Sequence, residues 1–296
     1  MQSIVATGLW PVRTRRIATR HGGRAVATAL VDYKGMRQIF TITVAIMMLC
    51  QPASARTFKE IPELAKIFED HGVVGTFVLF DPESDTMCVA NEARAKQRFI
   101  PASTFKIANS LIGLDAGTVK GVDEVLPYGG KPQPIKDWEK DMNLRDAIKV
   151  SNVPVYQELA RRIGLDRMRE GVKKLNYGNM EIGSVVDRFW LEGPLAISAV
   201  EQTEFLSRLV TDRLPVKPEA IKAVKEITLI EKSDGYTLHA KTGRTFDKRD
   251  LGWWVGWVER DGKVYPFALN IDLKTDKDAA KRIAIGRECL KALGKL

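Results

Sequence analysis

The sequence predicts an α/β fold of the α+β kind. It is an antiparallel sheet flanked by helices, with a helical region inserted. Three observations predict it. Strand-like runs stand early, at 73–80 and 87–90, and again late, at 236–241, 252–259 and 263–272. Between about 118 and 225 the apolar residues recur at helical spacing instead. No repeat or low-complexity linker separates the two β-rich parts, so they are expected to meet in one sheet.

The elements follow in chain order. Ile61, Leu64, Ile67 and Phe68 share one face of a helix over 59–70. Val73 to Phe80 is rich in β-formers and ends at Asp81-Pro82; 87–90 is its hairpin partner. Phe105, Ile107, Ala108, Leu111, Ile112 and Leu114 lie all round a helix over 104–115, which marks it as buried and stopped near Gly117. Helices follow at 143–150, 154–163, 166–175 and 199–210. Trp253, Trp254, Val255 and Trp257 read as sheet core, because strands favour aromatics. An amphipathic helix over 276–293 closes the chain.

A hydrophobic content of 45% and a charged content of 28% over 296 residues suit one large domain. The formal charge of +9 is concentrated at the start. Residues 1–55 hold Arg13, Arg15, Arg16, Arg20, Arg24, Lys34 and Arg37 against Asp32 alone. The other 39 basic residues face 36 acidic ones, so neither nucleic acid nor an anionic membrane is called for. Met36-Arg37-Gln38, the apolar run 39–50 and Gln51-Pro52-Ala53-Ser54-Ala55 read as a secretory signal peptide over 36–55. Residues 1–35 then read as a non-native upstream extension, with translation starting at Met36. The mature domain is 56–296, its sheet part about 56–100 and 225–296 and its helical part about 101–224. Cys50 falls in the signal. Cys88 and Cys289 are expected to stay unpaired and largely buried, although an exported chain permits a disulfide.

The chemistry starts at Ser103-Thr104-Phe105-Lys106. Residues three apart on a helix share a face, so Ser103 and Lys106 are placed to touch. A serine hydroxyl needs a base to become a nucleophile, and a lysine in apolar surroundings loses its proton readily. Lys241-Thr242-Gly243 forms a distant second half, and Ser151-Asn152-Val153, Tyr177-Gly178-Asn179 and Trp190-Leu191-Glu192-Gly193 stand in order between them. The ordered set resembles the class D (oxacillinase-type) serine β-lactamases. Phe189 to Gln202 and Gly252 to Val258 extend the likeness, which runs over roughly 58–293.

The resemblance implies a serine β-lactamase/penicillin-binding-protein-like fold and hydrolysis of a β-lactam amide through an acyl-enzyme on Ser103. It makes Lys106, carrying CO2 as a carbamate, the general base. Trp190 would donate its indole N–H to that group, with Val153 and Leu191 shielding it. Ser151 would relay a proton to the leaving nitrogen. Lys241, Thr242 and Arg282 would meet the substrate carboxylate, and backbone N–H groups of Ser103 and Arg244 would form the oxyanion hole beside Gly243. Tyr177 and Asn179 would be structural, and Glu192 is the runner-up base for deacylation.

Bland readings stand beside these. Ser151 also suits a turn, Arg282 an exposed helix, and His239 ordinary strand packing. Arg244 stands where relatives often carry a bulky apolar residue; it would greet acidic substrate side chains or pair with Asp247 or Asp250. No metal site is expected and no cofactor beyond CO2 or bicarbonate on Lys106. The resemblance and the signal-like segment imply a small β-lactam as partner and a periplasmic monomer or homodimer with no membrane contact after signal cleavage. The rival readings are a β-lactam sensor domain and a penicillin-binding peptidase, both acylated and slow to deacylate.

Overall fold

The computed structural model describes residues 56–245 and 250–296. The signal-like segment, its upstream extension, Cys50 and Asp247 lie outside the described residues. Among the described residues one seven-stranded sheet forms, in the order β1-β3-β2-β7-β6-β5-β4. The strands are β1 (Thr57–Glu60), β2 (Gly75–Asp81), β3 (Thr86–Ala90), β4 (Leu229–Ser233), β5 (Tyr236–Arg244), β6 (Leu251–Arg260) and β7 (Lys263–Asp272). The early and late strands join at β2 and β7, where Phe77 faces Leu269. Every neighbouring pair is antiparallel except β1 and β3, which run parallel, so the sheet is mixed.

The helices are α1 (Pro62–Asp70), the short α2 (Glu92–Ala95), α3 (Lys106–Asp115), α4 (Leu144–Lys149), α5 (Val153–Ile163), α6 (Leu165–Lys174), α7 (Ala199–Val210), α8 (Pro218–Ile227) and α9 (Asp278–Ala292). The helix expected from 59 begins only at Pro62, because Thr57 to Glu60 pairs with β3 as an edge strand. Four mostly exposed residues carry no alternation that would reveal such a strand. The same exposure hid β4, whose Leu229 and Ile230 face solvent.

Side chains of β6 alternate strictly between two cores. Trp253, Val255 and Trp257 pack with α3, α5 and α7, whereas Trp254 and Val258 pack with α1 and α9. The tryptophans are therefore sheet core, as their spacing predicts. Cys289 is buried and Cys88 half-buried, and both are free thiols. No described helix is long and apolar enough to cross a membrane.

Gly286 is the point where α9 meets the sheet. A Cβ there would lie 2.2 Å from Trp254 Cε3. Alanine in a helix interior normally gains about 1 kcal/mol over glycine. Overpacking against a buried indole costs about 1–3 kcal/mol, so the steric cost wins. Gly286→Ala is expected to lower the urea unfolding midpoint, whereas helix propensity alone would raise it.

Candidate active site

Ser103 sits in a single 3-10 turn (Ala102–Phe105) that runs straight into α3. Three contacts fix that turn. Thr104 donates to the Pro101 carbonyl through its backbone N–H (3.2 Å) and its hydroxyl (2.7 Å). Gln202 Nε2, from α7, donates to Thr104 Oγ1 at 2.8 Å, and Tyr177 Oη donates to Gln202 Oε1 at 3.3 Å. A capping box of Ser198 and Glu201 anchors the start of α7. Ala102 takes a φ of +49°, a left-handed conformation uncommon for a residue with a Cβ. The surrounding bonds hold that strain in place beside the nucleophile.

Lys106 follows one turn on. Its side chain is fully buried, and Nζ lies 2.8 Å from Ser103 Oγ. Burial, and then the charge of Lys241, push its pKa well below the usual lysine range. The amine is thereby poised to accept a proton from serine. Nζ also lies 5.3 Å from the ring centroid of Tyr156, whose hydroxyl bonds Ser110 at 2.9 Å. Phe105, between the serine and the lysine, stacks on Trp190 at 5.5 Å and meets Phe189 and Tyr177 edge-on. Trp190 is fully buried, yet its Nε1–H has no hydrogen-bond partner. Leu191 is half-buried at the edge of the same core, and Val153 is half-buried at the start of α5.

Ser151 stands in the left-handed region, at φ +57°, between α4 and α5. Asn152 caps α5 by accepting from Val155 N at 3.1 Å. Trp138 clasps this turn from outside. Its indole donates to the Val150 carbonyl at 3.0 Å, and its own carbonyl accepts from Asn152 Nδ2 at 3.2 Å. Lys241 Nζ, from β5, donates to Ser151 Oγ at 2.9 Å and to the Thr242 carbonyl at 2.8 Å. Burial, and then the charge of Arg282, bring the Lys241 pKa down to about 7. The two motif lysines and two motif serines thus form two hydrogen-bonded pairs, coupled through charge.

Strand β5 closes the site on its other side. A Cβ on Gly243 would lie 3.0 Å from the Pro101 carbonyl and 3.2 Å from Thr104 N. Only a strand without a side chain there comes so close to the serine turn. The backbone after Gly243 is thereby brought alongside the start of the 3-10 turn. Arg244 pairs with Asp250 through Nε (3.1 and 3.2 Å) and with Asp276 through Nη2 (2.6 Å). Of the two pairings open to it in sequence, Asp250 is seen and Asp247 lies outside the described residues. Arg282 is half-buried in α9 and donates from Nη1 to the Ala279 carbonyl at 2.6 Å.

The remaining candidates lie apart. His239 stacks on Trp257 at 4.5 Å and bonds the Lys225 carbonyl, which is strand packing. Glu192 is exposed and paired with Arg188 at 2.8 Å. Asn179 bonds the Pro194 carbonyl and Ala196 N, stapling the 190s loop. Trp138, Tyr156 and Phe105 also build the site and escaped the sequence reading, which met Gln202 only as the end of a family-like segment and Asp250 only as a possible partner of Arg244. Only Phe105 carried a signal, lying inside the motif; the others are brought in by tertiary contact. Among the described residues no group of His, Cys, Asp and Glu is suited to a metal ion.

The penicillin binding protein transpeptidase domain family matches residues 75–291. The chain is similar to Beta-lactamase OXA-10 of Pseudomonas aeruginosa, 40% identical over 259 residues, covering 86% of this chain and 97% of the relative. It is similar to Beta-lactamase OXA-48 of Klebsiella pneumoniae, 43% identical over 241 residues, covering 81% and 91%. The crystal structure of FUS-1 (OXA-85), a class D β-lactamase from Fusobacterium nucleatum subsp. polymorphum, aligns with a TM-score of 0.78. That pair is 48% identical, covering 80% of this chain and 100% of the other.

A buried lysine with a lowered pKa carries a stability cost with a definite sign. The unfolded chain binds the proton more tightly, so the cost is greatest at low pH and shrinks as pH rises towards the ordinary lysine value. Lys106→Met fills the same space without a charge. It is expected to be more stable than the parent by roughly 1–4 kcal/mol near pH 6, with the gap narrowing by pH 10. Thermal melts of both proteins across that range check it; a gap that widens with pH would contradict the assigned burial.

Proposed function

Because the chain belongs to the class D serine β-lactamases, we propose that it opens the lactam amide of penicillin-type antibiotics through an ester on Ser103, with N-carboxylated Lys106 as general base. The observation that carries this reading is the fully buried Lys106 amine 2.8 Å from Ser103 Oγ. An amine kept neutral by its surroundings is reactive towards CO2 and is close enough to take the serine proton.

The pocket suits carbon dioxide on Lys106 for two reasons. The amine is held well below its ordinary pKa, and the buried Trp190 N–H has no partner of its own. A donor left bare in a dry pocket costs about 1–3 kcal/mol, which an incoming anion would recover. Trp190 and Lys106 would hold the group, with Val153 and Leu191 keeping water off. Once bound, CO2 would supply an anionic base beside Ser103.

The chain's own residues account for the other steps. Ser103 Oγ attacks the lactam carbonyl, giving up its proton on the Lys106 side. Backbone N–H groups of Ser103 and Arg244 receive the developing oxyanion, a position that the close approach of Gly243 supports. Ser151, hydrogen-bonded to Lys241, passes a proton to the departing nitrogen. Lys241, Thr242 and Arg282 bind the substrate carboxylate, Lys241 from one face of the sheet edge and Arg282 from α9. Lys106 remains beside the ester, so water is activated from the same position that deprotonated the serine. Exposed Glu192, held by Arg188, is the weaker choice for that step. The signal-like segment at 36–55 makes the periplasm the proposed place of action.

Multiple-turnover hydrolysis of a chromogenic cephalosporin tests the assignment. Sustained turnover that rises with added bicarbonate is expected, with Lys106→Ala slower by roughly 10²–10⁴-fold. A single stoichiometric burst would instead favour the sensor or peptidase reading. Trp190→Phe keeps the ring and removes the donor. It is expected to raise the bicarbonate needed for half-maximal rate by roughly tenfold or more, the value of a charge-assisted hydrogen bond. An unchanged bicarbonate requirement would remove Trp190 from the role given to it.

A further inference from the structure

Four residues converge at the corner where β5, β6 and α9 meet. Arg244 stands directly across from Gly252 in the β5–β6 register. Asp250, two residues before Gly252, is turned to the same face by the strand's alternation. The Arg282 stem lies over Gly252, where a Cβ would come within 3.2 Å of its Cδ. The Asp250 backbone is fixed as well, its carbonyl accepting from Leu273 N at 2.8 Å.

Charge at this corner is unevenly shared. Arg244 grips both oxygens of Asp250, through Nε at 3.1 and 3.2 Å, with Nη2 also on Oδ2. Arg282 Nε is buried and has no hydrogen-bond partner, although the charges of Arg244 and Asp250 both act on it. Arg282 Nη1 donates to the Ala279 carbonyl, but no carboxylate among the described residues is bonded to this guanidinium; one so near would ordinarily pair with it, because such pairs are bidentate and strong. Here the competing guanidinium of Arg244 has taken the carboxylate.

We propose that Arg244 is a positioning residue that sequesters Asp250 and so leaves the Arg282 guanidinium open for the substrate carboxylate. The side chain of Arg244 does not itself greet the substrate. It removes an internal competitor. Asp276, which is largely exposed, adds a second but solvent-screened hold on Arg244 at 2.6 Å. The inference rests on the β-lactamase reading and deepens it at the carboxylate subsite.

A double-mutant cycle separates this role from simple support of the loop. Arg244→Met frees Asp250 to fall on Arg282. KM for benzylpenicillin is expected to rise roughly tenfold, the worth of one charge-assisted contact, with kcat nearly kept. Adding Asp250→Asn removes the competitor, and KM is expected to return to within about twofold of the parent. For the methyl ester of benzylpenicillin, which lacks the carboxylate, the loss of kcat/KM in Arg244→Met should be much smaller than for the free acid, and Asp250→Asn should restore little of it. Active-site titration of Ser103 with a slow β-lactam normalises each rate to folded enzyme. The proposal fails if the single variant leaves KM unchanged, if the second substitution does not restore it, or if the ester suffers equally. Absence of turnover in the parent would instead overturn the β-lactamase reading itself.

Discussion

The desolvated amine of Lys106 is the constraint on which the rest of the site depends. A lysine stem that ended in water would keep its proton and would be useless as a base. Burying it asks for a dry pocket on every side, and the aromatic residues around it supply one. Phe105 stacks on Trp190, Tyr156 offers a ring face, and Phe189 and Tyr177 close the gaps. The polar chain from Tyr177 through Gln202 to Thr104 holds the serine turn against this pocket. Serine and amine therefore stay at 2.8 Å without any flexible segment having to bring them together.

The sheet delivers the second lysine by a different route. Residues of β5 alternate, so Lys241 and Gly243 face the helical core while Arg244 faces α9. Gly243 lets the strand press on the Ser103 turn, and Lys241 reaches the strained Ser151 turn. Arg282 comes to the same strand end from the opposite face. Three cations are thereby gathered within a small region where burial lowers the pKa of Lys241 and Arg282. Cations gathered this closely are costly to bury, and their shared potential is the kind that attracts an anion.

Sequence alone reached the chemical groups and most of the fold because both follow from short-range patterns. Ser103 and Lys106 are one helical turn apart, and the tryptophan-rich β6 alternates with strand period. Elements with weak patterns escaped. Strands β1 and β4 are exposed edges whose side chains need not alternate. Trp138 was invisible for another reason. Its role consists of two hydrogen bonds to residues 150–152, and only folding decides that neighbour. Asp250 was legible only as one of two candidate partners for Arg244, and only the fold brings it onto that side chain.

The junction of β2 with β7 has a consequence in time. Phe77 and Leu269 are adjacent in the sheet but stand at opposite ends of the chain. At a synthesis rate of about 5–20 residues per second, β2 waits roughly 10–40 s for its partner to emerge. During that interval the strand's own fold is incomplete, and the serine turn has no β5 to press against it. The active site is thus among the last parts of the molecule to exist. A chain ordered this way can complete its catalytic geometry only once nearly all of it has been made.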